Sequence, residues 1–233
     1  MVVMSQVTEC IPRNFSTRTH RISIPKYSLS EELISSISHG VGALLSLVGL
    51  ILCIVRSVVH ATPMGVASSI IYGLSLIILY TMSCIYHALK PNQAKRVFRV
   101  IDHCSVFLLI AGTYAPFTLV TLAGPTGWLL FFVIWGAALI GIVLNAIDLE
   151  KFSKVSVVCY LAMGWAVVFA IKPLVAALAS PGLVLLVCGG VTYSLGVILY
   201  ALGSKIRYMH SVWHFFVLAG SILHFFAVYL YVL

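Results

Sequence analysis

Charge is what this sequence has least of. Only 9% of its 233 residues are Asp, Glu, Lys or Arg, and just six of these are acidic. A water-soluble domain carries about a quarter charged residues. So low a share, on a chain that is 61% hydrophobic with mean hydropathy +1.10, excludes an ordinary soluble fold and makes lipid the solvent. Cysteine is also sparse. The six are scattered at positions 10, 53, 84, 104, 159 and 188 with no C-x-x-C, which argues against a disulfide framework or a cysteine zinc knuckle and leaves packing thiols. No stretch has the length and polarity of a separate soluble domain. The formal charge of +8 does not indicate nucleic acid, because the basic residues sit in short connections between apolar runs, as in cytoplasmic loops that face a membrane. No cleavable leader is expected, since the first apolar run starts near Leu33 after a long polar tail and is itself long enough to span.

What the chain does have is long apolar runs. Seven reach spanning length, at about 33–55, 66–89, 97–122, 128–147, 155–178, 183–202 and 209–232. The breaks between them carry turn or charge signals such as Lys90-Pro91-Asn92, Ala123-Gly124-Pro125 and Ser180-Pro181-Gly182. Lys172-Pro173 interrupts the fifth run, so that span is expected to end near Ile171. The predicted fold is all-α, a polytopic seven-transmembrane helix bundle over residues 28–233. Residues 1–27 read as a basic, mostly disordered cytoplasmic tail. Ser28-Leu29-Ser30-Glu31 predicts a capping box at the start of the first helix. Orientation follows from the cations. With seven spans, twelve of the fourteen Lys and Arg fall on the side of the N-terminus, against Arg56 and Lys172 on the other. The N-terminus is therefore expected in the cytoplasm and the C-terminus outside.

Ionisable residues within the runs are few and collect at one depth. His210 and His214 are four apart at the start of the seventh run, on one helical face. Two imidazoles so spaced can grip one metal ion, as in the H-E-x-x-H metalloproteases, but Ser211 stands where that motif has its glutamate. A general base must then come from elsewhere. On the predicted topology His87 ends the second span and Asp102 opens the third at the same depth. Glu32, Ser35 and His39 share a face of the first. Imidazoles and carboxylates in lipid face the bundle interior, where they pair or bind ions. Three histidines with an aspartate fit a catalytic type of zinc site, with three protein ligands and a water. Ser83, one turn before His87, is placed to support it. His103 and His224 read as hydrogen-bonding core residues, and His20 and His60 as solvent-facing.

Glu32-x-x-Ser35-x-x-x-His39, Ser83-x-x-x-His87, Asp102-His103-Cys104, Ala111-Gly112-Thr113-Tyr114-Ala115-Pro116-Phe117 and His210-x-x-x-His214, in that order, resemble the signature of the progestin and adipoQ receptor superfamily, and its bacterial hemolysin III-like branch in particular. Ser35 departs from the asparagine common at that place, leaving a hydroxyl for an amide. The resemblance covers every span. It implies a zinc ion held by His87, His210 and His214, with Asp102 as the catalytic aspartate holding the zinc-bound water and Glu32, Ser35, His39 and Ser83 around them. Animal receptors of the superfamily are linked to ceramide hydrolysis, and the bacterial branch to haemolysis and membrane homeostasis. The expectation is thus a multi-pass protein of the bacterial inner membrane, acting as a zinc-dependent hydrolase of a lipid amide or ester. Membrane lipid would be both its environment and its substrate. A regulator with structural zinc and a haemolysin or pore are the alternatives.

Overall fold

In lipid a backbone can satisfy its own N–H and C=O groups by coiling, so apolar runs are expected as helices. A computed structural model of the protein describes residues 22–60, 62–203 and 205–233, and every regular element among them is helical. These are α1 (Leu29–Val59), α2 (Pro63–Ala88), α3 (Gln93–Pro116), α4 (Pro125–Trp165), α5 (Ile171–Ala177), α6 (Ser180–Leu202) and α7 (Met209–Tyr231). A π-helical turn, Phe117–Thr121, extends α3, and a 3-10 turn, Ala166–Ala170, links α4 to α5. Residues 1–21 of the expected tail, with His20 and Cys10, lie outside the described residues.

Six helical stretches are long and apolar enough to cross a membrane, one fewer than the seven runs, because Pro125–Ala177 is one 53-residue stretch holding the fourth and fifth runs together. That stretch does not continue straight. Asp148 is extended (φ −158°, ψ 94°), and beyond it the chain turns back. Asn145 Oδ1 accepts from Ser156 Oγ at 2.6 Å. Eleven residues of straight helix would hold those side chains about 16 Å apart at 1.5 Å per residue. The sequence predicts a break of several residues here, whereas one extended residue suffices. Asp148 Oδ1 takes the Lys151 N–H at 3.0 Å and so caps the returning helix at once. The irregularity expected at Lys172-Pro173 falls earlier, in the 3-10 turn Ala166–Ala170. Of the described cysteines only Cys53 is fully buried, and Cys188 is exposed, which corrects the reading of all as buried thiols.

Packing joins α1 to α2, α2 to α3, α3 to α4 and α6 to α7, and α7 returns to pack on α1 as well. The pattern of α1 shows why. Leu44, Val48, Ile51 and Val55 form an exposed apolar stripe, while Ser35, His39, Gly42, Ser46, Cys53 and Ser57 form the buried one. Lipid is as apolar as leucine, so helices associate through small and polar faces instead. At Gly42 the approach is close enough that a Cβ would meet the Tyr80 ring, whose hydroxyl donates to Ser221 Oγ at 2.6 Å. Gly42→Ala gains about 1 kcal/mol of helix propensity but overpacks by about 1–3 kcal/mol. A lower thermal midpoint in detergent is therefore expected. Gly136→Ala, whose added Cβ meets nothing within 4 Å, serves as the control and should not lower it.

Candidate metal centre

The expected capping box is present, and it does more than start α1. Glu31 Oε2 accepts the Ser28 N–H at 2.9 Å, while its other oxygen accepts the N–H of Tyr208 at 2.8 Å. Tyr208 sits in the left-handed region (φ 66°) just before α7. One carboxylate thus joins the starts of two helices. Ser211 Oγ donates to the Glu31 carbonyl and accepts from Ser35 Oγ, both at 3.1 Å, stitching α7 to α1 one turn further in. With that end fixed, His210 and His214 point from one face of α7 toward the C-terminal turn of α2, where His87 lies.

His210 Nε2 is 3.4 Å from His87 Nε2 and 3.3 Å from His214 Nε2, and all three rings are buried. Among the described residues these form the group whose ligand atoms all lie within 4.8 Å of one another. A tetrahedral ion with metal–imidazole bonds of about 2.0–2.1 Å needs its nitrogens about 3.3–3.4 Å apart. An N–H···N hydrogen bond would draw them closer, to about 3.0 Å. The two spacings therefore match those of ligands sharing one ion, and the third pair lies within 4.8 Å.

The ring of His87 is also oriented for that task. Its Nδ1 is 2.7 Å from Glu32 Oε2, so the proton sits on Nδ1 and the Nε2 lone pair faces the centre. Glu32 is held in turn by Lys95. The Lys95 ammonium is 2.6 Å from Glu32 Oε1, donates to the Leu89 carbonyl at 2.9 Å and is almost wholly buried. Sequence reading took Lys95 for one of several loop cations. A signal was available, because Asn92 caps α3 and puts Lys95 in its first turn, where a positive charge opposes the helix dipole and calls for an acid. Lys95→Met is expected to leave Glu32 buried without its cation and to weaken metal binding about 10–100-fold, as loss of an outer-shell partner does. Lys95→Arg should recover part of the loss, read by titrating zinc into the metal-stripped protein.

Tyr27 was also passed over, because it lies in the segment read as tail. Its ring stacks on His210 at 4.7 Å and 16°, closing the centre from outside the bundle. Burial pushes its phenol above the ordinary tyrosine range, so it stays neutral. Ser23 fixes the segment leading to it, donating to Glu150 Oε1 from both backbone and side chain, while Arg99 donates to its carbonyl at 2.6 Å.

The other residues expected at the site surround the imidazoles. The His39 ring is 3.9 Å from that of His214, and both its nitrogens are buried without a hydrogen bond. Ser83 Oγ lies beside the Asp102 carboxyl, one turn before His87, without closing a bond of normal geometry. Asp102 is buried and is not one of the converging ligands. It shares with His39 and Trp213 the wall of a mainly apolar cavity of about 120 Å³. Trp213 in turn lies 5.1 Å, ring to ring, from both His210 and His214. His103 and His224 each bond a backbone carbonyl one turn earlier, as read from the sequence, and His60 is exposed.

Comparison with known proteins gives one family. The family model described as haemolysin-III related matches residues 27–225. The chain is 42% identical over 205 residues to Hemolysin-3 of Bacillus cereus, covering 88% of this chain and 93% of that one. It is 38% identical over 205 residues to a Hemolysin-3 homolog of Bacillus subtilis (strain 168), covering 88% and 96%. It is 28% identical over 168 residues to the human Monocyte to macrophage differentiation factor, covering 69% and 68%.

Proposed function

The chain belongs to the haemolysin-III family, within the progestin and adipoQ receptor superfamily, and on that premise we propose that it is a zinc-dependent hydrolase of a lipid amide or ester working in the cytoplasmic leaflet. The observation that carries this reading is the convergence of His87, His210 and His214, whose ligand nitrogens lie within 4.8 Å of one another, with a carboxylate fixing the first ring. Three imidazoles with no thiolate suit zinc and leave a fourth position open. A bound zinc ion supplies Lewis acidity toward a carbonyl and a nucleophilic water near neutral pH. Asp102, buried in the wall of the neighbouring cavity, would serve as the general base for a water held there. The cavity beside it takes the acyl portion of the substrate, and Tyr27 covers one face of the His210 ring.

The reading includes seven spans, with the reversal at Asp148 dividing the fourth from the fifth, the N-terminus in the cytoplasm and the C-terminus outside. It places the protein in a bacterial inner membrane, with lipid as partner and substrate. The regulator reading has its own support, since the same cluster ties α1, α2 and α7 together at one end. The haemolysin in the names of the relatives suggests a pore. Against a wide one, Ser46, Ser68, Ser69 and Ser75 each donate back to a carbonyl of their own helix, so their hydroxyls are already used within the bundle. The test is metal analysis of the detergent-purified protein with a ceramide or acyl-ester hydrolysis assay before and after chelation. About one zinc per chain and turnover that chelation removes and zinc restores are expected. A protein purified free of metal, or turnover indifferent to chelation, would overturn the proposal.

A further inference from the structure

Outside Tyr27 lies an open hollow of about 680 Å³, between the segment before α1, the end of α6 and the connection to α7. It differs in chemistry from the apolar cavity beside Asp102. Lys26, Arg99, Lys205 and Arg207 line it, with Glu31 as the one carboxylate and His210 in its floor. Arg99 is held by Glu150 at 3.1 Å, and Arg207 stands 3.9 Å from Glu31. Among the described residues Lys26 and Lys205 pair with no carboxylate, and both are exposed. Tyr27 and Tyr200 supply two phenols to the same wall.

We propose that this vestibule is a binding site for a phosphate group, seated between Lys26 and Lys205 with Arg99 and Arg207 beside it, directly outside the metal centre. Cations on a membrane-facing loop attract anionic lipid loosely wherever they lie. Here four drawn from three separate segments line one concavity, and two have no acid of their own among the described residues. A dianionic or diester phosphate offers several acceptor oxygens to such a ring of donors, and each bond is charge-assisted. Its source is the headgroup of an anionic lipid reaching in from the leaflet or a soluble phosphate from the cytoplasm. The site borrows only its position from the metal centre, so binding is expected in metal-stripped protein as well.

The experiment is native mass spectrometry of the purified chain, metal-loaded and metal-stripped. It is run with phosphatidylcholine alone, with phosphatidylglycerol added, and with inorganic phosphate scored separately by thermal midpoint. Lys26→Ala/Lys205→Ala is compared with Lys151→Ala/Lys154→Ala, a pair on the same expected face but away from the cavity. Retention of phosphatidylglycerol above phosphatidylcholine, weakened at least about tenfold by the first pair as befits two lost charge-assisted bonds and unchanged by the second, supports the site with lipid as its source. No lipid preference, but stabilisation by inorganic phosphate that the first pair alone abolishes, supports it with a soluble ligand. Neither preference nor stabilisation, or an equal loss in both pairs, overturns it. Retained zinc in the first pair shows that the fold and metal centre are intact, so failure here is separable from failure of the hydrolase reading.

Discussion

His210→Ala and His214→Ala are each expected to purify with almost no zinc, against an expected one ion per chain in the parent protein. Each removes one of three ligands, and the two left cannot close a tetrahedral site. The loss should also show in stability. An ion at a hundred times its dissociation constant adds about 2.7 kcal/mol to the folded state. The thermal midpoint of either variant should therefore match the metal-stripped parent and no longer rise when zinc is added. His224→Ala is the control, because it removes an imidazole of the same helix that bonds the Gly220 carbonyl and lies about 21 Å along the axis from His210. It should keep its zinc. His87→Ala is a less clean test, since it also strands Glu32, which is bonded to that ring and to Lys95. Acid should release the ion from the parent, because each imidazole must give up its proton to bind. Full zinc occupancy in both His210→Ala and His214→Ala would show that the cluster is not the metal site.

Why these residues could be read in advance, and others not, follows from the range of the signals. His210 and His214 declare themselves through helix periodicity, which is local and survives any tertiary arrangement. Glu32, Ser35 and His39 fall on one face for the same reason, and each meets a different residue of the centre: His87, Ser211 and His214. Placing His87 and Asp102 at the same depth needed only the order of the spans. Lys95 is different. The Asn92 cap marks it as a first-turn cation in need of an acid, but that α1 brings Glu32 within 2.6 Å is a pairing across helices that a single sequence does not encode. Tyr27 is hidden for another reason. It lies in a basic segment without apolar periodicity, and its place over His210 depends on Ser23 meeting Glu150, 127 residues away. The break at Asp148 was legible as a change of composition, but its shortness was not, since it rests on the cap that one aspartate gives its third neighbour.

Asp102→Asn separates catalysis from structure. Asparagine keeps the shape of the side chain and can still accept a hydrogen bond, but it cannot take a proton from water. If Asp102 is the general base, turnover should fall about 10²–10⁴-fold, while zinc content and thermal midpoint stay near those of the parent. The steric case for retained folding is sound, because Asp102 has no ion pair shorter than 3.8 Å, to His103, and is not among the converging ligands. Burying a neutral amide in its place is also less costly than burying a carboxylate. If zinc instead serves only to fasten α1, α2 and α7, the same substitution should leave membrane function nearly unchanged. His210→Ala would then destroy that function through stability alone. The two readings thus differ in which variant is silent: an inactive, zinc-loaded, fully folded Asp102→Asn protein points to hydrolysis, and an active one to a structural ion.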